Sequence, residues 1–66
     1  MNENKVLEQA ISLINEKIRF CEEQIHVWLD ESNEQEAFAY TAKRMGLLEA
    51  IEVIKYCKDS NESTTT

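Results

Sequence analysis

Seven apolar residues in the first half of the chain are spaced alternately by four and three positions, and this pattern limits the fold more than any other feature. They are Leu7, Ile11, Ile14, Ile18, Cys21, Ile25 and Trp28, which we call the seam. A 4-3 alternation keeps one stripe of an α-helix facing a partner helix along its length. It therefore predicts a first helix over residues 3–30 that packs lengthwise against a second helix.

A second apolar stripe lies beside the seam on the same predicted helix. It repeats every seven residues and consists of Val6, Leu13, Phe20 and Val27. A helix that packs on a single partner needs only a narrow apolar seam. The wider apolar arc predicts a second contact, and we expect that contact to be another copy of the chain.

The second helix is predicted over residues 33–58. Its start is indicated by two capping boxes, a favoured one of Ser32 with Gln35 and a weaker one of Asn33 with Glu36. The chain has no proline and one glycine, so nothing else interrupts either helix.

The break between the helices is predicted within residues 31–33. So short a connection makes the two helices antiparallel neighbours. With equal rise per residue, residues whose numbers add to about 65 lie at the same level. Cys21 is then near Arg44 and Cys57 near Glu8, so the two thiols are too far apart to form a disulfide within one chain.

Three apolar groups occupy the second helix. Small residues dominate one side, which carries Ala39, Ala42, Gly46, Ala50, Val53 and Cys57, and larger ones lie beside it at Tyr40, Leu47, Ile51 and Ile54. A separate strip consists of Phe38, Met45 and Tyr56. A glycine inside a helix costs ~1 kcal/mol relative to alanine, so Gly46 indicates a tight helix crossing unless it is merely tolerated there.

A chain of 66 residues rarely builds a sufficient core by itself, so it usually needs disulfides, a metal or oligomerisation. The predicted fold class is all-α, an antiparallel two-helix hairpin that dimerises into a four-helix bundle. We expect one hairpin domain over residues 1–58 and a disordered polar tail over residues 59–66, which contain no apolar side chain.

The sequence contains no motif that identifies a catalytic, cofactor-binding or metal-binding residue. Glu23 and His26 have the Glu-x-x-His spacing of di-iron bundles, but they lie opposite the seam, on the side predicted to face solvent. Glu22, His26 and Asp30 are spaced by four residues and also lie on the side predicted to face solvent. A metal-binding bundle remains an alternative interpretation, but the sequence favours a protein that is not an enzyme and has no cofactor.

The charge and hydropathy of the chain indicate its classes of partner and its compartment. The formal net charge of −6 disfavours direct binding to nucleic acid or to anionic membranes. No apolar run approaches ~18 residues, and the first residues do not resemble a signal peptide. We expect a cytoplasmic protein whose two cysteines stay reduced and behave as small buried apolar residues.

Residues 38–54 read Phe-Ala-Tyr-Thr-Ala-Lys-Arg-Met-Gly-Leu-Leu-Glu-Ala-Ile-Glu-Val-Ile. With the acidic first helix, this stretch resembles small helical-hairpin proteins of phages and mobile elements of low-GC Gram-positive bacteria. The resemblance implies a modulator or inhibitor of a host protein, such as a component of a defence system.

The sequence therefore predicts a non-enzymatic protein-binding module that pairs with itself and with an unidentified host or mobile-element protein. An acidic mimic of nucleic acid, which blocks a DNA- or RNA-binding protein, is the alternative. Trp28, Phe38 and Tyr40 are expected to cluster at the turn end, either as a binding hot spot or as a plug of the bundle. The interface candidates are Val6, Leu13, Phe20, Val27, Trp28, Phe38, Tyr40, Leu47 and Ile54.

Overall fold

The computed structural model describes residues 3–64, and the side chains of residues 3–60 within them. Helix α1 spans Glu3–Asp30 and helix α2 spans Glu34–Thr64, and the two pack against each other. The described residues contain no strand. The all-α fold and the two-helix hairpin are thus confirmed.

Two ion pairs between the helices fix their register. Glu22 Oε2 lies 2.9 Å from Arg44 Nε, and Glu8 Oε1 lies 3.0 Å from Lys58 Nζ. The residue numbers add to 66 in both pairs, within one of the predicted sum. The helices are therefore antiparallel and in the expected register over most of the length of α1.

The turn between the helices is a Schellman motif centred on a left-handed serine. Ser32 has φ of 59°, and its N–H donates to Leu29 O at 3.0 Å. The N–H of Asn33 donates to Trp28 O at 2.8 Å. These two bonds satisfy carbonyls at the end of α1 that would otherwise lack partners.

The cap of α2 is Asn33, whose Oδ1 accepts a hydrogen bond from the N–H of Glu36 at 3.1 Å. The prediction that favoured Ser32 with Gln35 is wrong, and the weaker pair supplies the cap. The reason is that Ser32 already ends α1 in a left-handed conformation, whereas an N-cap residue has extended dihedral angles.

Helix α2 continues to Thr64, six residues past the predicted end at Lys58. The predicted disordered tail thus begins inside a helix, and its last two residues lie outside the described part of the chain. No proline or glycine follows Gly46, so nothing in the backbone stops the helix. Polarity alone does not end a helix that is already nucleated.

The core of the hairpin is small. The buried apolar residues of the described part are Ile18, Cys21, Ala37 and Ile51. The remaining five seam residues of α1 are half-buried, which agrees with the predicted seam. On α2 the packed face carries Ala37, Tyr40, Arg44, Leu47, Ile51 and Ile54, whereas Ala39, Ala42, Gly46, Val53 and Cys57 are exposed.

A large part of the surface is uncovered for a chain of this mass. The accessible surface is 5251 Å², whereas a compact monomer of 7.7 kDa exposes about 4,300 Å². The radius of gyration is 15.5 Å against about 11 Å for a compact domain of this length. Two helices side by side form a thin slab of 53 × 17 × 10 Å with few interior positions.

Candidate interaction surface

A shallow apolar groove of about 440 Å³ runs between the helices on one side of the slab. It is lined by Lys17, Phe20, Cys21, Tyr40, Lys43, Gly46 and Leu47. Five of these seven residues are uncharged, and the only charged ones are the two lysines. The groove is therefore a weakly basic patch on an acidic protein.

The aromatic contact in the groove joins the two helices. The rings of Phe20 and Tyr40 meet edge to face, with centroids 6.2 Å apart and planes at 75°. Lys43 Nζ lies 4.7 Å from the centroid of the Tyr40 ring, a cation–π distance. These contacts hold Tyr40 half-buried but leave 52% of Phe20 exposed.

The second stripe of α1 extends the groove in both directions. Leu13 is 60% exposed, and Val6 and Val27 are each nearly half exposed. Because these residues repeat every seven positions with Phe20, they lie along the same side of α1. As predicted from the spacing of the two stripes, packing of the seam leaves this stripe uncovered.

Residues on one side of α2 form the other wall of this surface. Gly46 lines the groove, and a Cβ placed on it would meet no atom within 4 Å beyond its chain neighbours and the backbone of its own helix. The predicted tight crossing at Gly46 is therefore absent within the chain. Ala39 and Val53 are one heptad away on either side and are exposed. We call the Val6, Leu13, Phe20 and Val27 stripe, together with Ala39, Gly46 and Val53, the groove face.

A second apolar surface lies on α2, away from the groove. Phe38 is 75% exposed and Tyr56 is 74% exposed, and Met45 lies between them, also exposed. Glu49 and Glu52 are exposed on the same part of the helix. We call Phe38, Met45 and Tyr56 the outer strip, and it is an apolar strip with acidic neighbours.

The nine interface candidates divide into two groups. Val6, Leu13, Phe20, Val27 and Phe38 are exposed, whereas Trp28, Tyr40, Leu47 and Ile54 are half-buried. Of the three aromatic residues expected at the turn end, Tyr40 has its ring contact with Phe20, and Phe38 is 75% exposed. The Trp28 Nε1–H is buried without an acceptor among the described residues. Five other large apolar residues are exposed but were not among the candidates: Leu29, Met45, Leu48, Val53 and Tyr56. The helical period of 3.6 residues places them away from the packed faces, so this period could have identified them.

The polar side chains form pairs rather than a reactive centre. The two ion pairs between the helices use no residue that lines the groove. Glu23 and His26 are exposed, as their position opposite the seam predicted. Among residues 3–64, no group of three or more His, Cys, Asp or Glu side chains is arranged to hold a metal ion.

Both cysteines are free thiols, in agreement with the expected absence of a bridge between them. Cys21 is buried, as a seam position requires. Cys57 is exposed, so the expectation of a buried apolar thiol is wrong there. The reason is that Cys57 belongs to the small-residue side of α2, which does not pack on α1.

No protein-family model, curated protein or solved structure matches the chain. In the part of the chain that the structure describes, neither helix has an apolar stretch long enough to cross a lipid bilayer.

Proposed function

We propose that the protein is a non-enzymatic protein-binding module that pairs with a second copy through the groove face, and presents the outer strip to a target protein. One observation carries the proposal. The described part of the chain buries only four apolar residues but leaves ten large apolar side chains exposed. Such a surface is typical of an interaction site rather than of a free monomer.

The free energy available at the groove face is large relative to the stability of the hairpin. Full burial of a Leu, Val or Phe side chain contributes ~1.5–3 kcal/mol, and Leu13 and Phe20 are each about half exposed. A single small core rarely supplies more than ~3–5 kcal/mol. Covering this face would therefore contribute about as much stability as the intramolecular core.

The uncovered area also fits a dimer. The accessible surface exceeds that of a compact monomer of this mass by roughly a fifth, close to the ~800 Å² that each partner buries in a standard interface. A two-fold dimer is the commonest closed arrangement, and two hairpins packed face to face make a four-helix bundle.

The outer strip stays uncovered when two hairpins pair through the groove face, so it is available to a different partner. Its apolar residues Phe38, Met45 and Tyr56 have Glu49 and Glu52 beside them, and the whole chain has a net charge of −6. A partner that complements this surface is an amphipathic helix with lysine or arginine at its edges. The resemblance to mobile-element hairpins supports a host protein as the one that carries this amphipathic helix.

A pair of variants tests this assignment of the two surfaces. Phe38→Asp with Tyr56→Asp should abolish specific capture of a protein from the lysate of a low-GC Gram-positive bacterium, and should leave the dimer mass unchanged in light scattering. Phe20→Asp should instead lower the mass in light scattering to that of a single chain. If the double variant captures the same proteins as the wild type, the outer strip is not the target surface. If it becomes monomeric, the two surfaces have been assigned the wrong way round.

A further inference from the structure

We infer that each Phe20 in the dimer occupies the open space over Gly46 of the other copy, so that α1 of one hairpin lies along α2 of its partner. This inference rests on the proposed dimer and adds its geometry. It commits the groove face to one occupant, a second copy of this chain in one orientation.

The register of the hairpin provides the first argument. Residues whose numbers add to 66 lie at the same level, as the two ion pairs show. Leu13 is therefore level with Val53, Phe20 with Gly46, and Val27 with Ala39. Phe20 and Val27 thus have residues of α2 with a much smaller side chain or none at their own level, and Leu13 is level with Val53.

Two-fold symmetry can place these level residues opposite each other in two copies of the chain. A two-fold axis that runs along the helices leaves every residue at its own level and exchanges the two helices across the interface. Leu13, Phe20 and Val27 of one copy then face Val53, Gly46 and Ala39 of the other, at three matched levels. A two-fold axis perpendicular to the helices would instead place α1 on α1, with bulky side chains facing one another.

The space at Gly46 is the second argument. Beyond its chain neighbours and the backbone of its own helix turn, a Cβ at this position would meet no atom within 4 Å, although a helix-interior glycine is normally unfavourable. A phenyl ring from another copy fits over a residue that has no side chain. Glycine at this position is therefore explained by the dimer and not by the hairpin alone.

Gly46→Leu separates the dimer from the hairpin. Leucine is a better helix former than glycine, and its Cβ would meet no atom within 4 Å beyond its chain neighbours and its own helix backbone. At concentrations above the Kd of the variant, helicity should therefore be kept or raised. In the dimer it would occupy the space of Phe20, and overpacking of this kind should raise the dimer Kd about ten- to hundredfold. Leu48→Ala, a size change on an exposed residue outside the groove face, is the matched control and should leave the Kd within about threefold of wild type.

Exchanging the sizes should restore pairing. Phe20→Ala with Gly46→Leu moves bulk from one side of the contact to the other, and its Kd should return to within about tenfold of wild type. If Gly46→Leu dimerises as tightly as wild type, the inferred contact is wrong although the dimer stands. If the wild type itself is monomeric, the proposed dimer fails before any variant is compared.

Crosslinking tests the orientation directly. Leu13→Cys copies and Val53→Cys copies, each in a Cys57→Ser background, are mixed and treated with a short thiol crosslinker. The inferred axis predicts mixed 13-to-53 dimers as the main product. A predominance of 13-to-13 dimers in the mixture would overturn it and indicate the perpendicular axis.

Discussion

Replacement of Ser32 by glycine should stabilise the protein, because the turn holds this residue in a left-handed conformation. Its φ of 59° places it at the position after the helix where glycine is most often found. A residue with a Cβ loses ~1–2 kcal/mol in that conformation relative to the right-handed one. Glycine avoids this cost but loses ~0.5–1 kcal/mol through the greater freedom of the unfolded chain.

The difference predicts a net gain of about 0.5–1 kcal/mol for Ser32→Gly. In a domain of this size the gain corresponds to a rise in Tm of roughly 2–8 °C. Thermal unfolding followed by circular dichroism measures it, at one fixed protein concentration because dimer stability depends on concentration.

Ser12→Gly is the matched control, since Ser12 is exposed in the middle of α1 and has ordinary helical geometry. It should lower stability by about 0.5 kcal/mol. A fall in Tm for Ser32→Gly of the size seen for Ser12→Gly would refute the Schellman turn, and with it the end of α1 at Asp30.

Two further predictions concern single side chains. The Cys57 thiol should react with iodoacetamide well before the Cys21 thiol, because Cys57 is exposed and Cys21 is buried. Mass spectrometry of partly alkylated protein gives the order of reaction, and equal rates would contradict the assigned burial. Trp28→Phe should lower the free energy of unfolding by less than about 1.5 kcal/mol, because it keeps an aromatic ring and removes a buried N–H that has no acceptor. Trp28→Ala should lower it by about 3 kcal/mol. Urea unfolding measures both, and an equal loss for the two variants would mean that the indole N–H has a partner.

Periodicity predicted the parts of the fold that depend on one helix at a time. The seam from Leu7 to Trp28 placed α1 and its buried side correctly, and the short break near Ser32 gave the antiparallel register to within one residue. These features follow from spacing alone, since 3.6 residues per turn determines which side chains share a face.

Features that depend on competition between neighbouring residues were harder to predict. Ser32 and Asn33 are both good caps, and only the Schellman hydrogen bonds decide that Ser32 ends one helix while Asn33 begins the next. On α2, apolar residues occur on most sides, so the sequence could not decide which side packs on α1. The structure assigns that role to Tyr40, Leu47 and Ile51, and leaves Gly46 in the open.

The candidate surface was predicted for one helix and missed for the other. The stripe of Leu13 and Phe20 is apparent from the sequence because it exceeds what a single seam needs. The matching role of Gly46 is apparent only when the register and the open space around it are both known. The acidic borders of the outer strip are visible in the sequence, but its exposure is not.

The mass of the protein in solution tests the central claim most directly. Multi-angle light scattering at micromolar concentration should give about twice the 7.7 kDa of one chain for the wild type, and also for Asn15→Asp, which adds one carboxylate at an exposed site on α1 outside the groove face. Phe20→Asp should give the mass of a single chain with much of its helical circular dichroism lost, because a carboxylate would be buried at the dimer contact. A wild type that remains a stable, fully helical monomer of 7.7 kDa would contradict the account.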